Sequence, residues 1–391
     1  MGRRKWRNER LSISVIFLVH GLIVAAWLSR IPAIQAKLAL SPGRLGTVLL
    51  ASTAGALVAM PLTGWLIHHV GSRVMTMLGS VLFCASLPLM AFAPSTLWLG
   101  GALFIYGATA GCMDVSMNAQ AVSLEHLWGR PIMSSFHGLF SLGAMGGAAL
   151  GGLAAAAGQS PKVHFTGCAL AFGLLAAAVF RWLLPDPERQ GDGHLGLRFT
   201  RQIVGLGLIG FCILLGEGAM ADWSAVYLRT SMKTGAGFAA IGYALFSGGM
   251  TIGRFTGDFL TERLGRVRLV RDGALLAFAG LTFALGIGTT WSALIGFAAA
   301  GLGFAAIVPL IFAAAGRVPG MTPGAGIASV TTAGWLGFLT GPPLIGFTAE
   351  VTSLRFALGT VAILSAVGAW LAPMVEPTIE KEERCATFQS S

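Results

Sequence analysis

The stretch ATAGCMDVSMNAQAVSLEHLWGR, residues 108–130, decides how the rest of the chain is interpreted. Its first half continues an apolar run that begins near Trp98 and is long enough to cross a bilayer. Inside this run stand Asp114, Asn118 and Gln120, a carboxyl group and two amides among apolar side chains. A charged carboxylate at the bilayer centre costs about 3 kcal/mol on insertion scales. We therefore expect Asp114 to face a water-filled cavity, a polar partner or a proton.

The composition of the whole chain is that of a polytopic membrane protein. Of 391 residues, 55% are hydrophobic and 11% are charged, whereas soluble domains carry about 25% charged residues. The apolar runs are about 20 residues long, which predicts spanning helices rather than the short alternating strands of a barrel. The cysteines have neither metal-ligand nor redox spacing, and no nucleotide-binding loop is visible. No cofactor, metal or nucleic-acid partner is predicted.

Apolar runs bounded by charged, Gly/Pro or polar segments predict an all-α membrane protein with twelve transmembrane helices in two six-helix bundles. These lie at about 11–36, 44–69, 74–93, 97–124, 132–157, 164–184, 202–229, 237–260, 270–289, 291–315, 324–349 and 354–373. The predicted bundles are residues 1–184 and 202–375. The polar segment 185–201 is predicted to be a cytoplasmic linker, and residues 376–391 a cytoplasmic tail.

Basic residues predict the orientation of these helices. The N-terminal segment MGRRKWRNER is strongly basic, and it leads into a first helix with no small-residue cleavage site. Most of the 26 Lys and Arg residues fall in segments that a cytoplasmic N-terminus would place inside. This excess of Lys and Arg on one side follows the positive-inside rule, so both termini are predicted to be cytoplasmic.

The two halves of the sequence repeat weakly. Trp27 and Gly46 correspond to Trp223 and Gly242 at the same offset. The turn GWLIHHVGSR, residues 64–73, is matched by GDFLTERLGRVR, residues 257–268. Parallel repeats with a site between them at mid-membrane are typical of secondary transporters.

This layout resembles the major facilitator superfamily over nearly the whole chain, and the family's signature turn, Gly-x-x-x-Asp-Arg-x-Gly-Arg, is matched in part. The first copy keeps Gly71 and Arg73 but has His68 and His69 in place of the acid–Arg pair. The second copy has Asp258 where the first glycine would be, and it keeps Glu262, Arg263, Gly265 and Arg266.

Three further segments resemble the YbjJ-like bacterial inner-membrane transporters, which are relatives of the fucose permease-type proton symporters. They are DVSMNAQ (114–120), GRPIMSSFHGLFSLG (129–143) and EGAMADWSAVYL (217–228). The resemblance implies a location in the bacterial inner membrane and proton-coupled import of a sugar-like solute. It does not identify the substrate.

Two acids are predicted to couple transport to protons. Asp114 and Asn118 are four residues apart and share a helix face. We interpret Asp114 as a proton-binding carboxyl group and Asn118 as a hydrogen-bonding group for the solute. The alternative is a structural acid bonded to a neighbouring helix. Glu217, near the middle of the seventh predicted helix, supplies a second acid facing the same cavity. Its alternative role is polar contact between helices.

Further polar residues are predicted to line the central cavity. Gln120 lies on another face of the helix that carries Asp114. His137 is expected to lie opposite Gln120, across a hairpin of the fourth and fifth helices. His137 and His20 are interpreted either as proton relays near neutral pH or as interhelical hydrogen-bonding partners.

Two tryptophans and one arginine complete the predicted solute site. Trp27 and Trp223 are interpreted as stacking surfaces for a sugar or aromatic ring, with the membrane interface as the alternative. Arg30 is interpreted as an anchor to the outer headgroups or, if it turns inward, as a fork for an anion. Pro32 is expected to loosen the first helix at this point.

Charged residues at the helix ends are predicted to form ion pairs. Asp222 is expected to pair with Arg229 at the outer end of the seventh helix. Charges spaced one turn apart follow the inner end of the eighth helix. We interpret them as a cytoplasmic gate made of Arg254, Asp258, Glu262 and Arg263.

These inferences describe a monomeric secondary transporter that moves a small polar solute, sugar-like or an organic acid, by proton-coupled alternating access in the lipid bilayer. A drug or metabolite efflux antiporter is one alternative, and a membrane sensor that binds without transporting is another. The polar segments are too short for a catalytic domain, which argues against an enzyme.

Overall fold

The computed structural model describes residues 6–128, 132–185, 200–315, 317–319 and 323–376. The elements of the first half are α1 (Arg7–Leu28), α2 (Ile31–Lys37), α3 (Pro42–Val70), α4 (Ser72–Phe92), α5 (Thr96–Trp128), α6 (Met133–Ala156) and α7 (Pro161–Val179). Those of the second half are α8 (Arg201–Thr230), α9 (Ala236–Leu264), α10 (Arg266–Ile287), α11 (Thr290–Phe304), α12 (Ile307–Ala315), α13 (Pro323–Val351) and α14 (Leu354–Leu371). Short 3₁₀ turns, Phe180–Trp182 and Ala372–Val375, follow α7 and α14.

The helices are long enough to span a membrane. Within the described residues, 11 spans have the required length and hydropathy, with α1–α2 and α11–α12 each counted as one. The helix α13, with 29 residues, is a twelfth long helix. The all-helical membrane fold predicted from the sequence is confirmed.

Two spans that the sequence predicted as continuous are interrupted. The first breaks at Ser29–Arg30, just before Pro32 at the start of α2. Pro is tolerated in the first turn of a helix, where its missing N–H is not needed. The tenth span breaks at Ala305–Ala306, between α11 and α12. Pro309 lies four residues after Ala305, and because proline has no N–H it cannot donate the hydrogen bond to the carbonyl of Ala305 that a continuous helix would need.

Serine, threonine and glycine residues mark several helix ends. The side chains of Ser41, Ser160, Thr200 and Ser353 each accept a hydrogen bond from a backbone N–H in the first turn of the helix they precede. Such caps satisfy donors that the helix itself leaves free. The matching turns α3–α4 and α9–α10 each contain one glycine at positive φ, Gly71 at 89° and Gly265 at 76°, a conformation that disfavours other residues.

The helices run antiparallel to their chain neighbours between two ends of the molecule. We call the end where α1 begins the near end, and the opposite one the far end. At the near end, Ser12 at the start of α1 donates to the carbonyl of Val179 at the end of α7, at 2.9 Å. At the far end, Lys37 donates to the carbonyls of Ala91 and Ala93, at 3.0 and 2.7 Å.

The same packing scheme occurs in both halves. In the first half α1 packs on α6, α3 on α5, and α4 on α5 and α7. In the second half the corresponding helices pair in the same way: α8 packs on α13, α9 on α11, and α10 on α11 and α14. Glycines permit close approach in these pairs. A Cβ at Gly21 would overlap the carbonyl of Phe140, and one at Gly301 would overlap that of Phe246.

The halves meet through two helix pairs, α6 with α9 and α3 with α13. At the far end, α3 and α13 are in close contact, because a Cβ at Gly46 would overlap the carbonyl of Pro342. Toward the near end the same helix α3 exposes Leu62 and Trp65, by 56% and 59%. The interface between the halves is thus tight at the far end of α3 and α13.

Candidate functional site

A cavity of about 280 Å³ lies between the two halves. The first half contributes residues of α1, α3, α5 and α6 to its wall, and the second half contributes residues of α8, α9 and α13. Much of the wall is aromatic: Trp27, Tyr106, Phe140, Tyr243, Phe246, Trp335 and Phe338. Hydroxyl groups of Ser52, Thr53, Ser141 and Ser247 interrupt this surface. A cavity of this composition suits a small molecule with both apolar and polar parts.

Among the described residues, the charged groups of the cavity wall come from the second half alone. Glu217 and Asp222 come from α8, and Arg254 comes from α9. Nη2 of Arg254 lies 3.7 Å from Oε2 of Glu217, and the two side chains are 13% and 14% exposed. Nη1 of Arg254 donates to Oγ of Ser141 in the first half, at 2.6 Å. Arg254 therefore joins the two halves at the cavity wall.

The hydroxyl of Ser141 is oriented for this contact. Its Oγ donates to the backbone carbonyl of His137, one turn earlier in α6, at 3.2 Å. Its lone pairs are then free to accept from the guanidinium of Arg254. The other oxygen of Glu217, Oε1, is buried and has no hydrogen-bond partner among the described residues. Buried carboxylate oxygens are normally hydrogen-bonded, so this oxygen is available to a proton or a ligand.

Helix geometry explains why Arg254 and Glu217 meet although the sequence suggested different depths. Counting about 1.5 Å per residue places Arg254 roughly two turns closer to the near end than Glu217. Side chains in a helix point toward its N-terminus. In α9 that direction is the far end, and in α8 it is the near end, so the two side chains lean toward each other.

Asp222 does not form the expected pair with Arg229. It lines the cavity and has no ion-pair or hydrogen-bond partner among the residues that the structure describes. Arg229 instead donates to the carbonyl of Thr234, at 2.6 Å. The expectation failed because the cavity-facing stripe of α8 is wide. It includes Glu217, Gly218, Ala221 and Asp222, an arc of about 140° at 100° per residue.

Asp114 lies on α5, four residues beyond Ala110, which is a cavity residue. Asp114 itself is not part of the cavity wall. The side-chain amide of Asn118 donates to the backbone carbonyl of Asp114 at 2.8 Å and to Oδ1 of Asp114 at 3.2 Å. Asp114 and Asn118 thus form a local pair about one turn from the cavity toward the near end, and the role of this pair in proton coupling stays a prediction.

Gln120 is sealed inside the first half. It donates to Oγ of Ser72 at 2.8 Å and to the carbonyl of Leu184 at 3.1 Å, and it accepts from the N–H of Leu184 at 2.9 Å. Only 1% of it is exposed. These bonds attach the segment after α7 to α4 and α5, and they do not involve His137.

The two histidines predicted to lie in the cavity pack against aromatic rings instead. His137 contacts Phe17 edge-on, with ring centroids 5.4 Å apart. His20 is buried between Phe83 and Phe140, at 5.1 and 5.3 Å, and its Nδ1 has no partner among the described residues. Neither ring belongs to the cavity wall.

The predicted aromatic pair is split between the wall and the core. Trp27 lines the cavity and packs on Phe165, with centroids 6.2 Å apart. Trp223 is fully buried in α8, away from the cavity wall. Arg30 is also buried, at 4% exposure, and it donates to the carbonyl of Gln159 at 2.6 Å. It therefore neither reaches the surrounding headgroups nor lines the cavity.

The residues predicted to form a gate are found in separate places. Arg254 lies in the cavity wall, as described above. The side chain of Asp258 lies outside the described residues. Glu262 is exposed at the near end, in a groove with Arg266, Arg268 and Arg271, and the guanidinium of Arg263 stacks on Phe259 at 4.3 Å.

One set of wall residues was missed although the sequence contains a signal for it. Tyr243, Ser247, Met250 and Arg254 line the cavity, and they recur at helical spacing along α9. Starting from Arg254, the spacing would have identified this face. Among the described residues, no group of three His, Cys, Asp or Glu side chains could hold a metal ion.

Comparisons with known proteins identify the family. The sequence model of the Major Facilitator Superfamily matches residues 12–320. An MFS-type transporter of Yersinia pestis is 37% identical over 359 residues, which cover 91% of this chain and 93% of the relative. The membrane protein MosC of Rhizobium meliloti is 34% identical over 359 residues, covering 90% and 87%. The transporter y4wD of Sinorhizobium fredii is 34% identical over 380 residues, covering 95% and 98%.

Solved structures share the fold. The nucleoside transporter NupG superposes with a TM-score of 0.74 at 14% identity, covering 94% of this chain and 99% of NupG. A bacterial homologue of the human lysosomal transporter Spinster, in an inward-facing and unoccupied conformation, superposes with a TM-score of 0.69 at 14% identity, covering 93% and 95%. The family model matches most of the chain and the relatives cover nearly all of it, so the chain belongs to the major facilitator superfamily of membrane transporters.

Proposed function

We propose that this protein is a proton-coupled secondary transporter that moves a small polar solute through the cavity between its halves by alternating access. In the proposed orientation the near end, with both termini, faces the cytoplasm of the bacterial inner membrane. The far end is the tight end of the α3–α13 interface, so the cavity is then closed to the outside.

The contact from Glu217 through Arg254 to Ser141 carries this proposal. Two opposite charges about 4 Å apart attract by roughly 4 kcal/mol at an effective dielectric constant of 20. A proton on Glu217 removes that attraction and leaves Arg254 with only its neutral partner, Ser141. Because Ser141 lies in the other half, protonation of Glu217 changes a contact between the halves. Proton binding and rearrangement of the halves are thereby linked.

Asp114 is proposed as a second proton site, on the helix turn next to the cavity, with Asn118 as its hydrogen-bonding partner. Trp27 supplies a stacking surface for the solute in the cavity wall. The remaining residues predicted to bind solute make contacts that serve packing in this conformation. The proposed site therefore does not include Gln120, His137, Trp223, His20 or Arg30.

Uptake into proteoliposomes with and without an imposed proton gradient tests the proposal. Solutes are first selected by their ability to raise the melting temperature of the purified protein, since ligands that bind the folded state stabilise it. We expect an inward proton gradient to accelerate uptake by wild type and by the control Asp272→Asn, which alters an exposed charge at the near end. The Glu217→Gln variant should not respond to the gradient. Equal acceleration of Glu217→Gln and wild type would remove the coupling mechanism.

An efflux antiporter is a second candidate, favoured by the largely apolar wall that includes Phe140, Phe246, Met250 and Phe338. The direction of proton movement distinguishes a symporter from an antiporter. A symporter carries protons into vesicles together with the solute, whereas an antiporter expels protons as the solute enters. A pH-sensitive dye inside the vesicles distinguishes these outcomes.

A further inference from the structure

The charges in the cavity wall do not balance. Glu217 and Arg254 compensate each other across 3.7 Å. Asp222 also lines the cavity, and among the described residues nothing neutralises it or donates a hydrogen bond to it. With all three groups ionised, the wall carries one net negative charge. Asp222 is partly exposed and lines this cavity between membrane-spanning helices. An unpaired carboxylate is costly at such a place, so it indicates a partner that the described part of the chain does not supply.

Aromatic rings share the cavity wall with this carboxylate. They are Trp27, Tyr106, Tyr243 and Trp335. The faces of aromatic rings attract cations, and a Trp or Tyr face together with a carboxylate is suited to an ammonium group. A carboxylate on the solute would instead be repelled by Asp222. The third charged group, Arg254, is already engaged by Glu217 and Ser141 and does not offset this repulsion.

We propose that Asp222 binds a protonated amine of the transported solute. This inference rests on the proposed transport function and narrows its substrate class to small amine-bearing solutes. The two acids of α8 then have separate tasks: Glu217 takes the coupling proton, and Asp222 holds the positive group of the solute. The cavity volume of about 280 Å³ is at the lower end of the range for ligand pockets, about 300–1,000 Å³, so the solute is small.

Matched probes test this assignment. One set is glucosamine, glucose and glucuronate, and the other is benzylamine, benzyl alcohol and benzoate. Each set holds the scaffold nearly constant and changes the charge it carries. Glucosamine replaces the C2 hydroxyl of glucose with an amine, whereas glucuronate is glucose oxidised to a carboxylate at C6. In the second set the amine, hydroxyl and carboxylate all occupy the same position on the ring. Binding is measured as the rise in melting temperature of the full-length protein in detergent, over a concentration series that yields an apparent Kd.

We expect at least one amine to stabilise wild type, with its hydroxyl and carboxylate counterparts about tenfold weaker or without effect. The Asp222→Asn variant should bind that amine about tenfold more weakly or worse, since a hydrogen bond between two charged groups is stronger than one from the amine to a neutral amide. The control Asp272→Asn should bind it as wild type does. An unchanged elution profile of the unliganded Asp222→Asn variant shows that it is folded.

Three results would each overturn the assignment. The first is that no amine in either set binds, and the second is that the neutral or anionic probes bind as well as the amines. The third is that the amine binds Asp222→Asn as tightly as it binds wild type. Counterflow of the bound amine in proteoliposomes tests the transport function separately from the amine assignment. Amine binding that depends on Asp222 without any counterflow would contradict the transport function alone. Counterflow of a neutral solute, independent of Asp222, would contradict only the amine assignment.

Discussion

The two halves of this transporter pack in the same way but differ in the groups they place around the cavity. The first half contributes aromatic rings and hydroxyls, such as Trp27 and Ser141. The second half contributes the charged groups that the described part of the wall contains, Glu217, Asp222 and Arg254. A repeated fold therefore does not imply a repeated chemistry. The Arg254–Ser141 hydrogen bond connects the charged groups of the second half to the first half.

The largest effect is expected when the charged group that joins the halves is removed. Arg254→Ala leaves the carboxylate of Glu217 buried without its partner, and breaking such a pair costs about 3–5 kcal/mol. We expect a markedly lower melting temperature and loss of uptake. Adding Glu217→Gln to this variant should restore much of the stability, because the double variant carries no unpaired charge.

The control for this prediction is Arg263→Ala, which removes an exposed guanidinium from the same helix. It should stay close to wild type in stability. If the double variant is as unstable as the two single effects added together, the pair is not coupled as described.

A smaller loss of stability is expected for a polar residue that serves only the first half. Gln120→Ala removes three buried hydrogen bonds to Ser72 and Leu184, and unsatisfied groups of this kind cost about 1–3 kcal/mol. The apparent Kd for solute should stay within about twofold of wild type, because Gln120 lies outside the cavity wall. A tenfold weaker Kd in a folded Gln120→Ala protein would place it in the solute site after all.

The smallest change in stability is expected for the neutral partner in the contact between the halves. Ser141→Ala removes the acceptor for Arg254, and a single hydrogen bond contributes about 0.5–1.5 kcal/mol. The matched control is Ser365→Ala, whose hydroxyl donates only to the carbonyl of Val361 in its own helix. We expect the effect of Ser141→Ala on the proton-driven uptake rate to exceed that of Ser365→Ala. Equal uptake rates would show that this bond does not link the halves.

Much of the fold was predictable from the sequence, because apolar runs of about 20 residues have few alternatives to a spanning helix. The predicted spans agree with the helices except for the breaks at Ser29–Arg30 and Ala305–Ala306. The proline after Arg30 signals the first break. Pro309, four residues after Ala305, signals the second break in the same way, because it cannot donate the helical hydrogen bond to the carbonyl of Ala305.

The site was predictable only in part. Glu217 and Trp27 were predicted to face the central cavity, and both line it. Arg254 was predicted to belong to a cytoplasmic gate, and it lines the cavity instead. The residues that these three contact were not predicted, because the direction of each side chain and the placement of the helices decide which residues meet. Asp222 was expected to pair with Arg229 because the two residues lie on one helix face, but helical spacing does not show that this face also borders the cavity. Gln120 was assigned to the cavity since a buried amide looks the same in sequence whether its partners are solute or backbone.

The most direct test of the central claim is the number of protons bound or released when solute is added to the purified protein in weakly buffered solution. The account predicts a measurable proton change for wild type and for Asp272→Asn, and none for Glu217→Gln that still binds the solute. The same proton change in wild type and in Glu217→Gln would contradict the role given to Glu217 and to its contact with Arg254.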